Sequence, residues 1–80
     1  MPREIKSAAE IRAIVEQRVH AIREVREDRA TIRIPEPQRH EEDGDGCNWN
    51  MTYFGNATGY MDGIRSVLEK TREEYNLPPK

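Results

Sequence analysis

Ile11, Ile14, Val15, Val19, Ile22 and Val25 recur at spacings of three and four residues. On a wheel of about 100° per residue they form one stripe, with Glu16, His20, Glu24 and Glu27 opposite, which is the pattern of an amphipathic helix. Ser7-Ala8-Ala9-Glu10 stands in front of the stripe as a capping box, serine accepting from the glutamate amide and glutamate reaching back to the serine amide. The pattern predicts a helix over residues 8–28. The period then changes. Ala30, Ile32 and Ile34 alternate with Thr31 and Arg33, which predicts a half-buried strand over 29–34, closed by Pro35 and Pro37. Cys47, Trp49, Met51 and Tyr53 alternate with Asn48, Asn50 and Thr52, predicting a second strand over 47–54 with the first set facing the core. Between the two, residues 35–46 hold two prolines, two Asp-Gly pairs and almost nothing apolar, so they read as a long acidic loop.

A last helical stripe, Tyr60, Ile64, Val67, Leu68, Thr71 and Tyr75, predicts a helix over 59–76, with Asn76 as its cap and Pro78-Pro79 preventing continuation. Gly63 inside it costs about 1 kcal/mol relative to alanine, which points to a late start or a close packing contact. The expected fold is therefore α+β: a small α-β-β-α domain, one unit over residues 1–80, in which an antiparallel two-stranded hairpin is packed by two amphipathic helices. Its expected core is Ile11, Val15, Ile22, Ile32, Trp49, Met51, Ile64 and Leu68.

Composition bears on stability and partners. With 80 residues, 35% hydrophobic and 35% charged, the core is thin. A chain of this size buries only about 60% of the surface exposed when unfolded, and a two-stranded sheet leaves a face and its edges open. A second subunit answers both problems, so a homodimer, or a complex with another protein, is the expected state. Cys47 is the only cysteine, which excludes an intrachain disulfide. Met1-Pro2-Arg3-Glu4 leads straight into charged sequence without an apolar leader, and no apolar run is long enough to span a bilayer; the expected location is the cytoplasm. The net charge of −2 selects no class of partner, although residues 1–40 carry nine basic and seven acidic side chains and residues 41–80 four and eight.

Few residues stand out as chemistry. Arg18 falls in the middle of the first apolar stripe, where it either faces a partly buried ligand anion, a carboxylate or phosphate, or lays its stem over the core while its head reaches water or pairs with a carboxylate of the same fold or of a second subunit; the second reading is favoured. Glu41, Asp43 and Asp45 occupy positions one, three and five of a calcium-type loop with Gly46 at six, but Thr52 stands where the bidentate glutamate belongs. These three are weak metal candidates, and an acidic turn is the preferred reading. Cys47 with His40 is the one possible nucleophile and base, yet its sequence neighbours are acidic, which opposes a reactive thiolate. His20 is expected to point to water. Asn48 and Asn50 flank Trp49 and could contact a small molecule, while Phe54 is the aromatic expected to be exposed. The arginines of the first helix are interleaved with acids, so nucleic-acid binding ranks third. No complete catalytic set and no cofactor motif is present. The expected function is a non-catalytic accessory or interaction protein, homodimeric. The alternative is a small-ligand or metal-binding protein using the 40–47 loop, with a weak nucleic-acid binder behind it.

Overall fold

The computed structural model describes residues 3–79; Met1-Pro2 of the charged lead-in lies outside them. The chain runs β1 (Glu4–Ile5), α1 (Ala8–His20), α2 (Arg23–Asp28), β2 (Gln38–Arg39), β3 (Trp49–Asn50), α3 (Met61–Glu74) and β4 (Tyr75–Asn76). The described residues form a small α+β domain with three helices and two sheets of two strands each. One sheet is an antiparallel hairpin, as expected in kind but with β2 in place of the expected first strand, paired with β3; the other pairs β1 and β4 in parallel, Glu4 opposite Tyr75 and Ile5 opposite Asn76.

The first helix starts as its sequence dictates. The Ser7 hydroxyl accepts the Glu10 amide at 3.2 Å and the Glu10 carboxylate accepts the Ser7 amide at 3.1 Å. It does not reach residue 28. The Ala21 and Ile22 amides turn back to Arg18 and Val19, Ile22 becomes extended (φ −61°, ψ 132°), and the helix restarts as α2. No proline or glycine breaks it. The cause is tertiary: a Cβ built on Gly63 would lie 3.2 Å from Cδ1 of Ile22, so the break seats Ile22 on the one position of α3 that has no side chain. Gly63 inside α3 thus leaves room for Ile22 at the break. Arg29 ends α2 in the left-handed region (φ 52°), and the Ala30 amide reaches back to the Val25 carbonyl.

The predicted strand over 29–34 has the right faces and the wrong partners. Ile32 and Ile34 are buried and Arg33 is exposed, as the alternation requires, but the segment enters no ladder beyond an isolated bridge between Arg33 and Gly55. Helix α1 supplies the missing bonds. His20 Nε2 accepts the Ile32 amide at 3.1 Å, and Arg12 Nε donates to the Ile34 carbonyl at 3.1 Å. His20 is therefore not turned to water; since Nε2 accepts, the ring proton sits on Nδ1 and is donated to the Glu16 carbonyl at 2.9 Å. Gly55 permits the bridge, because a Cβ there would stand 2.9 Å from that of Arg33.

The hairpin partner of β3 lies instead inside the stretch read as loop, at Gln38–Arg39. Beyond β3 the alternation slips by one. Tyr53 takes φ 65°, so it turns out to 90% exposure and Phe54 turns in against the core, the reverse of the expected placement of both. The last helix ends at Glu74, and Asn76 is a strand residue rather than a cap. Of the expected core, Ile11, Val15, Ile32, Trp49, Met51 and Ile64 are buried, whereas Ile22 and Leu68 pack against it partly exposed. Trp49 is the largest side chain in the centre, fully enclosed.

Candidate functional site

The residues with chemical potential fall into three places, and the first is the seam between α1 and the end of α3. Arg18 Nη1 donates to the Thr71 hydroxyl at 2.9 Å and approaches Glu74 Oε2 at 2.6 Å, while its guanidinium carbon lies 5.9 Å from the centre of the Tyr75 ring. Its N–H points at Thr71, so the enclosed Glu74 oxygen has an ion contact without an aligned hydrogen bond. Thr71 is fully buried and donates onward to the Val67 carbonyl at 2.7 Å. An arginine at a stripe centre thus finds its anion on the neighbouring helix.

The second place is the turn at residues 43–47. Asp43 Oδ1 accepts the amides of Asp45 at 2.9 Å and Cys47 at 3.1 Å, and Oδ2 receives Arg72 Nη2 at 2.6 Å. Loss of hydration pushes the Asp43 carboxyl up, but the two amides and the arginine outweigh it and hold the group below its ordinary range. Of the three weak metal candidates, Asp43 is therefore engaged by the fold, and Glu41 and Asp45 are exposed. Among the described residues no three His, Cys, Asp or Glu side chains are grouped to hold a metal ion. A polar cleft of about 470 Å³ opens beside this turn, lined by Arg3, Asp45, Cys47, Glu69, Arg72 and Glu73. Both guanidiniums are anchored: Arg3 Nε donates to the Arg72 carbonyl at 2.7 Å and Arg72 Nε to the Trp49 carbonyl at 3.0 Å. Cys47 is buried, its thiol donating to the Trp49 carbonyl at 3.3 Å. His40 is exposed with Nδ1 on the Glu41 carbonyl, which is not the relation of a base to a nucleophile.

The third place holds the asparagines. Asn48 grips the backbone of Leu77 twice, donating from Nδ2 to its carbonyl and accepting its amide at Oδ1, both at 2.9 Å. Asn76 Nδ2 donates to the Gly46 carbonyl at 2.9 Å, and the Trp49 indole N–H to the Tyr75 carbonyl at 2.9 Å. Asn50 accepts the Met51 amide at 2.9 Å. The occupant of the asparagine pair is thus the chain itself. Asn76, read from the sequence only as a helix cap, and Arg72, which the sequence did not single out, organise two of these places through residues more than 20 positions away.

Among the arginines, Arg12 pairs with Glu16 at 3.3 Å on α1 and Arg23 with Glu27 at 2.9 Å on α2. No described helix is long and apolar enough to cross a membrane. Among the described residues the large apolar side chains held outward are Tyr53, Ile5 and Met61, with Tyr53 the most exposed. No protein family matches this chain, and no curated protein or solved structure is similar to it.

Proposed function

We propose that this chain is a non-catalytic interaction protein that works as a homodimer, with Tyr53 in the contact surface. The observation that carries the reading is the display of Tyr53 at 90% exposure on left-handed backbone. That conformation costs an L-residue roughly 1–2 kcal/mol. Tyrosine is also among the side chains enriched at the centres of protein interfaces, where a rigid ring covers a large area for two rotatable bonds. The side chains that could do chemistry support it from the other side: Arg18, His20, Asp43, Cys47 and Asn48 all hold the fold together.

Light scattering behind size-exclusion chromatography, run over a dilution series on wild type and Tyr53→Gly, tests the reading. Glycine accepts the backbone angle and removes the ring, so the dimer weakens by about tenfold or more while the thermal midpoint does not fall. A wild type that is monomeric at every concentration overturns it.

A further inference from the structure

His20 joins α1 to the extended segment at 30–34 through both of its ring nitrogens. Nε2 accepts the Ile32 amide at 3.1 Å, and Nδ1 donates to the Glu16 carbonyl at 2.9 Å. A backbone amide can only donate and a carbonyl can only accept, so the bonded ring is neutral, with its one proton on Nδ1. The other bonds that hold the segment run from Ala30 to the Val25 carbonyl, between Arg33 and Gly55 in both directions, and from Arg12 to the Ile34 carbonyl. None of them contains a group that gains a proton near neutral pH. Beneath the segment Ile32 and Ile34 are buried in the core.

We infer that His20 is an acid-operated latch: a second proton on its ring releases the segment from α1 and uncovers Ile32. That proton can enter only at Nε2, where it replaces the acceptor of the Ile32 amide by a donor facing a donor. The charged groups around the ring give the protonated form no partner. On α1 the Glu16 carboxylate is engaged by Arg12, and on α2 Glu27 is engaged by Arg23, while Glu24 and the segment's own Arg33 are exposed. Among the described residues no carboxylate stands within ion-pair distance of the His20 ring. Once released, the segment stays tied to Gly55 and moves with that turn, and its remaining link to α1 is the flexible stem of Arg12.

Hydrogen exchange followed by NMR tests it on the full chain. After correction for intrinsic exchange rates, protection of the Ile32 amide is expected to fall about tenfold or more, the worth of a hydrogen bond lost and not replaced, between about pH 8 and pH 5. The amides of Val15 and Val19 inside α1 should keep their protection over the same range. In His20→Gln, whose side-chain carbonyl accepts at any pH, Ile32 protection should not change. The ring nitrogen shifts of His20 in wild type, a readout that does not depend on the variant folding, should show Nε2 bare at the upper end and protonated in step with the loss at Ile32. Asp43 titrates below this range, so its turn takes no part. Protection at Ile32 that holds down to the lower end, or falls without protonation at Nε2, or falls equally in His20→Gln, overturns the inference.

Discussion

Replacing Arg18 by leucine removes a charge that meets both Glu74 and Thr71. The ion contact with Glu74 joins side chains about a third exposed, 32% and 38%, so solvent screens it to ~0.5–1 kcal/mol. The hydrogen bond to Thr71 adds ~1 kcal/mol, a middling value because the hydroxyl keeps its bond to Val67 when the arginine is gone. The enclosed Glu74 oxygen then has no counter-charge; a fully buried partner would cost ~3–5 kcal/mol, and partial exposure reduces this to under 1. The total is ~2 kcal/mol, or a fall of ~8–16 °C in thermal midpoint for a domain of this size. Urea unfolding followed by Trp49 emission reads it, alongside Glu74→Leu and the double variant. Because the double variant leaves no orphaned charge, it should be more stable than the two single losses sum to, by at least ~1 kcal/mol. Strict additivity, or a loss below ~0.5 kcal/mol for Arg18→Leu, would show that the seam is held by apolar packing and that the arginine merely lies across it.

Two further predictions concern the turn and the helix break. Asp43 has its carboxyl held down in the folded state, so its contribution is present above the ordinary aspartate value of 3.8 and is lost as pH falls through the lower folded value; wild type should lose thermal stability more steeply than Asp43→Asn between pH 5 and pH 2.5, and parallel curves would refute the assignment. Gly63→Ala gains up to ~1 kcal/mol of helix propensity and crowds Ile22 at 3.2 Å, so alone it should be nearly neutral, whereas in an Ile22→Val background, which retracts that methyl, the same change should stabilise by ~0.5–1 kcal/mol in denaturant titrations.

The elements legible in the sequence were those specified by their own neighbours. The capping box at Ser7 and Glu10, the α1 stripe and the burial of Trp49 and Met51 follow from local spacing and are present in the structure. Most of the departures come from residues distant in sequence. The helix breaks at Ile22 because of Gly63; Ile32 finds His20 rather than a strand; Asn76 answers to Gly46 and not to the helix before it. Tyr53 shows how small the decisive change can be, since one left-handed residue reverses the faces of the positions after it, and no turn residue at that position announces it. At the candidate sites the residue types were legible and their engagements were not. Arg18 was recognisable as an arginine needing an anion, but nothing within a helical turn of it identifies Glu74.

The bonds from α1 to the extended segment at 32–34 also set an order of assembly. A hairpin strand brings its own template, because each half orders the other and the pair can form before anything else does. Here the template is a histidine and an arginine two turns apart on a helix, and they line up only once that helix is wound. The segment is therefore expected to stay loose until α1 exists and to lock when Ile32 and Ile34 close over the core. In a folding experiment the amide of Ile32 should gain protection after the amides of α1 and together with burial of Trp49, which would make the imidazole of His20 the timing mark between secondary structure and a closed core.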